Sequence, residues 1–198
     1  MVGGSGGGPH ALASAHLAGS RCLALLVIAG LAPYDPLKFD FFTRINEEGR
    51  GDLVLSLSSP EKFKTLIEEK AKAMSSFTFE EIRARFNVGT GDQKSDDIVA
   101  TFQAKIKYSF LQGAQGWRDD TFAFLKPWGF FLGEISIPVQ LWTGTEDVAV
   151  PQTHSQYVHG LIPNSELRVI AGKNHGTISE HAYREGFRWL REIFDSSI

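Results

Sequence analysis

The segment that most constrains the fold is residues 21–29, RCLALLVIA, in which nearly every side chain is apolar. A strand with one solvent-exposed face alternates apolar and polar side chains, whereas a strand covered on both faces is apolar throughout. The apolar run ends at Ala32 and is far too short to span a bilayer. We therefore predict a buried parallel strand over residues 21–29, which requires helices on both faces of a sheet.

Two later segments have the same character. Residues 139–143 (VQLWT) and 167–170 (LRVI) are predicted as two more buried parallel strands. Helices are predicted over residues 10–19, 152–162 and 177–194, so that strand and helix alternate. The last helix begins with a predicted capping box from Thr177 to Glu180 and places four apolar side chains on one face: Tyr183, Phe187, Leu190 and Phe194. The sequence predicts an α/β fold with three parallel strands.

Residues 35–133 interrupt this alternation with helical signals. Ser59-Pro60 is typical of a helix start, and Thr78 to Glu81 (TFEE) matches a second capping box. An apolar side chain recurs every four residues from Ile98 to Phe110, which is a helical spacing. We predict a helical cap inserted into the sheet domain, with boundaries at 1–34, 35–133 and 134–198.

The glycine-rich opening admits two interpretations. Residues 3–7 (GGSGG) resemble a flexible linker, but they also match G-x-S-x-G, the tight turn that exposes a nucleophilic serine between a strand and a helix. The predicted helix and buried strand that follow are the context which this nucleophile elbow requires. We favour the elbow, with Ser5 as nucleophile and the Gly6 N–H as a donor to an oxyanion.

A serine nucleophile needs a base and an acid that orients the base. Asp147 and His175 each follow a predicted strand, so both are expected at the carboxyl edge of the sheet, in the order Ser, Asp, His. Asp35, after the strand at 21–29, is the competing acid, and Glu146 is expected to be solvated. Taken singly, a loop Asp is often a turn residue and a loop His is often only exposed.

The other histidines suggest no metal site. His154, His159 and His181 show no pattern of metal ligands, since the first two lie five residues apart on a helix and share no face. His10 is expected to pack or to support the site from outside. We predict neither a metal nor a cofactor.

Charge and cysteine content narrow the partners and the compartment. The formal net charge is −3 and the basic residues form no run, which gives no basis for binding nucleic acid or an anionic membrane. The single cysteine, Cys22, is expected to be a small buried hydrophobic residue. Since one cysteine excludes an internal disulfide and suits a reducing compartment, a cytoplasmic location is predicted.

Taken together, GGSGGGPHALA, LAGLAPYD, PWGF, PVQLWTGTEDVAVP and GKNHGT resemble the α/β-hydrolase fold family, in its cap-bearing, proline-iminopeptidase-like branch. The resemblance implies a serine hydrolase that cleaves ester, amide or similar acyl bonds of a small molecule with an apolar part. Ser5 is then the nucleophile, His175 the base and Asp147 the acid. Glu80 or Glu81 resembles carboxylates that bind a substrate amine, or complements the helix dipole. An aromatic set is predicted either to line an apolar pocket or to form the core of the cap: Trp117, Phe122, Phe124, Trp128, Phe130 and Phe131.

The resemblance also predicts missing parts. Sheets of this family usually have eight strands, with the elbow after the fifth, yet only Met1 and Val2 precede Gly3. An N-terminal truncation is expected to remove five strands and one oxyanion donor. It is also expected to leave the strand at 21–29 unpaired on one edge, and to leave Ser5 without a fixed distance to His175. A catalytically inactive fragment or a non-catalytic interaction protein is the alternative function.

Overall fold

The structure is a computed structural model that describes residues 1–85 and 88–197. Four strands form one sheet in the order β1-β2-β3-β4, and all neighbouring pairs are parallel. They are β1 Val2–Gly4, β2 Leu25–Ile28, β3 Val139–Gly144 and β4 Ser165–Ile170. The predicted parallel α/β fold is confirmed, with one strand more than the sequence indicated.

The additional strand is β1, and it corrects the prediction of an unpaired edge. Val2 pairs with Leu26 and Gly4 with Ile28, while the amino group of Met1 donates a hydrogen bond of 2.8 Å to the carbonyl of Ala24. Strand β2 is therefore paired on both sides. A three-residue segment with two glycines has no apolar pattern, so its strand conformation comes from pairing with β2.

The helices in the described residues are α1 Gly7–Ala18, α2 Glu47–Ser58, α3 Pro60–Ser75, α4 Phe79–Arg85, α5 Gln93–Ser109, α6 Gln115–Phe124, α7 Gln152–Leu161, α8 Ile178–His181 and α9 Phe187–Asp195. A π-helical turn, Ala182–Gly186, connects α8 to α9. None of the helices described here has the length and apolar character needed to cross a membrane. The chain divides into two compact units, residues 1–53 with 122–198, and residues 54–121.

Burial of β2 on both faces is confirmed. Leu25 and Val27 belong to a core cluster with residues of α1 and α7, whereas Leu26 and Ile28 belong to a second cluster with Trp142 and α8. Cys22 is buried in the first cluster, as predicted. The strand covers Leu25–Ile28 rather than residues 21–29; a 3₁₀ turn includes Arg21, and residues 22–24 and 29 are outside the strand.

Strand β4 was wrongly predicted as buried. Three of its residues are partly buried and three are exposed, including Val169, of which 39% is exposed. The reason is its place at one end of the strand order, where only β3 pairs with it in the described sheet. Four residues of sequence do not carry enough pattern to distinguish an end strand from a central one.

The C-terminal helical segment packs only partly through the predicted face, since of its four residues Leu190 packs against the core cluster that contains Leu26. Ile178 and Ala182 are fully buried, and a Cβ on Gly186 would lie 2.7 Å from the side chain of Leu26. Small residues at four-residue spacing thus bring this segment close to the sheet. About half of each of Tyr183, Phe187 and Phe194 is exposed instead.

The predicted capping box from Thr177 to Glu180 is also wrong, since Thr177 makes no side-chain cap bond. The Oδ1 atom of Asn174 accepts hydrogen bonds from the N–H groups of Gly176 and Thr177, at 3.1 and 3.0 Å. An Asx-type turn therefore replaces the box, and Asn174 accepts from outside the helix the Thr177 N–H that Glu180 would accept in the box.

The unit at residues 54–121 is helical. The predicted capping box is present at the start of α4, where the N–H of Thr78 donates to Glu81 and the N–H of Glu81 donates to the Thr78 hydroxyl. The hydrogen bonds that the backbone and the side chain of Thr78 make to the Glu81 carboxyl hold its pKa below its usual value. The side chains of Ile82, Val99 and Ile106 are buried in the core of the unit. The predicted boundaries at 34/35 and 133/134 stay a prediction.

Candidate active site

Ser5 occupies a strained turn between β1 and α1. Its φ is +50°, in the left-handed region that non-glycine residues rarely adopt. The Ser5 N–H donates to the Ile28 carbonyl at 2.8 Å, and the Ser5 carbonyl accepts from the Gly8 N–H at 2.9 Å. The turn is therefore fixed from both sides, by β2 and by the first turn of α1.

Glycine is required at two positions around this turn. A Cβ on Gly3 would meet the Gly7 carbonyl and would lie 2.5 Å from the Cβ of Ala11. A Cβ on Gly8 would lie 2.8 Å from the Cα of Gly30, in the loop after β2. Gly7, the second glycine of the sequence motif, faces open space. The second position that requires glycine is therefore Gly8, one residue after the second glycine of the motif.

The structure brings Ser5, His175 and Asp147 together. The Nε2 atom of His175 lies 2.9 Å from the Oγ of Ser5, and its Nδ1 lies 2.8 Å from the Oδ2 of Asp147. The expectation that Ser5 would have no fixed distance to His175 is wrong, because β1 pairs with β2 and anchors the turn.

Asp147 is held as a buried acceptor. Its side chain is fully buried, whereas 32% of the His175 side chain is exposed. The second carboxylate oxygen, Oδ1, accepts hydrogen bonds from the N–H groups of Ala149 and Val150 at 2.9 and 2.8 Å. Both oxygens are therefore used, which fixes the rotamer of the carboxylate towards His175.

The competing acid, Asp35, is bonded elsewhere. Its Oδ1 accepts from the N–H of Leu37 at 3.2 Å, and its Oδ2 lies 3.3 Å from the Nζ of Lys38. Glu146 is exposed, as predicted for a solvated side chain. The carboxylate that bonds His175 is therefore that of Asp147.

Two hydrogen bonds that the sequence motifs did not reveal join the loops of Asp147 and His175. The N–H of Glu146 donates to the Lys173 carbonyl at 3.0 Å, and the Gly172 N–H donates to the Thr145 hydroxyl at 2.9 Å. Gly144 permits this approach, since a Cβ there would meet the Lys173 carbonyl oxygen and lie 2.6 Å from its carbon. The only sequence signal for this contact is a glycine at the end of a strand, and that glycine does not indicate which loop it contacts.

A family model described as the alpha/beta hydrolase fold matches residues 1–182 of the 198. The chain belongs to the α/β hydrolase fold family. A search of curated proteins gave no match. The proline-iminopeptidase-like branch within this family stays a prediction.

Solved structures of α/β hydrolases share the fold at low sequence identity. A meta-cleavage product hydrolase from Pseudomonas fluorescens IP01 is 19% identical, with a TM-score of 0.55 over 100% of this chain and 65% of its own. A bromoperoxidase from Bacillus anthracis is 20% identical, with a TM-score of 0.58 and coverages of 98% and 66%. An esterase from Exiguobacterium antarcticum is 12% identical, with a TM-score of 0.57 and coverages of 97% and 65%. This α/β hydrolase chain thus spans just under two thirds of each of these proteins.

We predict that Gly144→Ala separates the two loops that carry Asp147 and His175 in this α/β hydrolase. Because the new Cβ meets backbone rather than a flexible side chain, the free energy of unfolding should fall by about 1–3 kcal/mol. Gly160→Ala is the matched control, since Gly160 lies in α7 and faces open space; it should gain about 0.5–1 kcal/mol. Denaturant unfolding measures both, and an equal response of the two variants would contradict the loop contact.

His154 is a buried neighbour of the Asp147 loop. It is 0% exposed, its Nδ1 accepts a hydrogen bond of 3.1 Å from the Ala32 N–H, and the rings of Phe39 and Phe41 pack edge-on against it. Burial lowers its pKa from 6.5 to about 4, although the Phe41 backbone and the negative charge of Asp147 offset part of that shift. His154 is therefore neutral near pH 7 and connects α7 to the loop after β2.

We predict that His154 makes the fold sensitive to acid. Its pKa is lower in the folded state, so the unfolded chain binds the proton first and stability is lost as the pH falls from about 6.5 to 4. The loss should be on the order of 3 kcal/mol. His154→Asn, whose Oδ1 can still accept from Ala32, should remove most of that slope in urea unfolding. His159→Asn, an exposed residue of the same helix, should retain it; equal slopes in all three proteins would refute the assignment.

Proposed function

We propose that this chain supplies the catalytic residues of a serine hydrolase, which cleaves ester, amide or similar acyl bonds through an acyl-enzyme intermediate. The observation that carries the proposal is the continuous hydrogen-bonded row from the Ser5 hydroxyl through His175 to a fully buried carboxylate. A strained serine, a histidine at 2.9 Å and an oriented acid are the three parts that nucleophilic acyl transfer needs.

The first half of the reaction forms the acyl-enzyme. The Oγ of Ser5 attacks the acyl carbon while its proton moves to the Nε2 of His175. Asp147 accepts the hydrogen bond from Nδ1–H of His175 and stabilises the imidazolium that forms. The tetrahedral intermediate then collapses, because His175 returns the proton to the leaving oxygen or nitrogen as that bond breaks. Ser5 remains esterified.

The second half releases the acid. A water molecule attacks the acyl carbon of the ester on Ser5, and His175 takes one proton from that water. Collapse of the second intermediate breaks the bond to Oγ and returns this proton to Ser5. The products are a carboxylic acid and the free enzyme, so no other reactant is consumed. The partial exposure of His175 supports access of water to the base.

Gly6 is the proposed donor to the oxyanion. It directly follows the nucleophile and is the N-cap residue of α1, where N–H groups have no partner inside the helix. The helix N-terminus also favours negative charge. Such a donor is worth roughly 10²–10³ in turnover.

The acyl-enzyme is the species that tests this proposal. With 4-nitrophenyl acetate, release of 4-nitrophenolate should begin with a burst of one equivalent per active chain, since that leaving group makes acylation fast. Acid quenching during turnover, followed by intact-mass measurement, should give the chain plus one acetyl group. Hydrolysis without any acetylated chain, or no hydrolysis at all, would contradict the proposed function.

A further inference from the structure

We propose that Asn174 and Thr177 are positioning residues for His175, which lies between them on the loop after β4. Their side chains bond to each other and to the backbone of the loop. The turn that they form determines where the imidazole of His175 lies relative to Ser5. This inference rests on the proposed function, because it takes His175 as the base of the reaction.

The two positioning residues are joined by reciprocal hydrogen bonds. The Thr177 hydroxyl accepts from the N–H of Asn174 at 3.0 Å and donates to the Oδ1 of Asn174 at 3.1 Å. The same Oδ1 also accepts the N–H groups of Gly176 and Thr177. These bonds all close over His175, so the backbone of His175 cannot turn without breaking several of them at once.

The turn is attached to the sheet on both sides of His175. On the C-terminal side, the N–H of Ile178 donates to the Asn174 carbonyl at 3.0 Å, and Ile178 is fully buried in a core cluster with residues of β2 and β3. On the N-terminal side, the N–H of Glu146 donates to the Lys173 carbonyl at 3.0 Å. The backbone of His175 is therefore held from both directions.

The exposure of these side chains favours positioning over core packing. Asn174 and Thr177 are both exposed, and 32% of the His175 side chain is exposed as well. The imidazole makes one hydrogen bond at each ring nitrogen, to Asp147 and to Ser5. Both bonds form only if the backbone places the ring within reach of both partners, and a misplacement of about 1 Å can lower the rate by about 10².

Removing the acceptor of the turn should slow the reaction without weakening substrate binding. Asn174→Ala should lower kcat for 4-nitrophenyl acetate by about 10- to 100-fold, while KM changes by less than about twofold. Asn174→Asp should restore most of the turnover, because its Oδ1 accepts the same N–H groups. Thr177→Val, which loses the hydroxyl, and Thr177→Ser, which keeps it, should show the same contrast and provide an independent pair of variants.

Asp92→Ala is the matched control for a loss of stability. Asp92 accepts the N–H and the hydroxyl of Ser95 in a cap of the same kind, but it belongs to the unit at 54–121. We expect Asp92→Ala to lower the thermal midpoint about as much as Asn174→Ala and to leave kcat unchanged. Equal losses of kcat in these two variants would overturn the proposal, because a loss of stability would then explain both.

Proton NMR tests the position of His175 without turnover. The Nδ1–H proton in the charge-assisted bond to Asp147 should appear far downfield of the amide protons and should be absent from Asp147→Asn. We expect the same signal in Asn174→Asp and Asp92→Ala, and its loss or broadening in Asn174→Ala and Thr177→Val.

Two NMR results would overturn the positioning role: an unchanged signal in Asn174→Ala and Thr177→Val, or no signal in the original chain. Both results would count against it even if the chain hydrolyses esters. The expected pattern of signals together with no hydrolysis by the original chain would contradict the proposed function and support the positioning of His175.

Discussion

Ser5→Ala is expected to reduce kcat for 4-nitrophenyl acetate by a factor of about 10⁶, which is the effect of removing the nucleophile from a serine hydrolase. Without Oγ, the proton acceptor His175 has no hydroxyl to activate and no acyl-enzyme forms. Ser14→Ala, an exposed serine on α1, should keep full turnover. Steady-state kinetics of the three proteins measures the effect. A Ser5→Ala chain within tenfold of the original would mean that another group is the nucleophile.

Ser5→Gly adds a test of the strain at this position. Glycine adopts a φ of +50° without penalty, so this variant should lose turnover like Ser5→Ala but gain about 1 kcal/mol of stability. A gain in stability with a loss of activity would show that the strained turn is kept for chemistry. Loss of both would indicate that the serine hydroxyl mainly holds the turn together.

Asp147→Asn is expected to lower kcat by about 10⁴ while the fold is retained. The amide can still accept the N–H groups of Ala149 and Val150, but its NH₂ group now faces Nδ1 of His175. His175 must then adopt the tautomer that carries its proton on Nε2, so that Nε2 cannot accept the proton of Ser5.

Asp35→Asn is the matched control for this prediction. Its carboxylate is engaged with Leu37 and Lys38, so turnover should change by less than about twofold, since an exposed pair of this kind contributes little. Parallel measurements of kcat and of urea unfolding decide between the two acids. A larger loss from Asp35→Asn would assign the acid to the loop after β2.

The parts of the fold that sequence predicted well are those whose pattern is local. Strand β2 is apolar at every position and is buried on both faces, so its residues alone indicate that helices cover both sides. The order of Ser5, Asp147 and His175, with Ser5 in the elbow motif and the other two each after a predicted strand, likewise gave the group that the structure brings together.

The parts that were missed depend on contacts between segments far apart in the chain. The conformation of β1 comes from its pairing with β2, and the burial of Gly186 comes from Leu26 on the opposite side of the contact. In the C-terminal helical segment, the large apolar residues indicated only part of the packed face: Leu190 packs against the core, but the small residues Ala182 and Gly186 pack there too. Asn174 shapes the site by accepting backbone N–H groups on its side-chain Oδ1, and Gly144 does so by letting the Lys173 backbone approach; the partners of both are backbone atoms, which leave no side-chain pattern in the sequence.

Reaction with a fluorophosphonate probe, followed by peptide mapping, tests the central claim most directly. The probe phosphorylates an activated serine, with loss of fluoride, and needs neither a known substrate nor turnover. We expect one adduct per chain, on Ser5, which is absent from Ser5→Ala and is formed much more slowly by Asp147→Asn. An adduct on another residue, or equal labelling of the original chain and Ser5→Ala, would contradict the assignment of Ser5 as nucleophile.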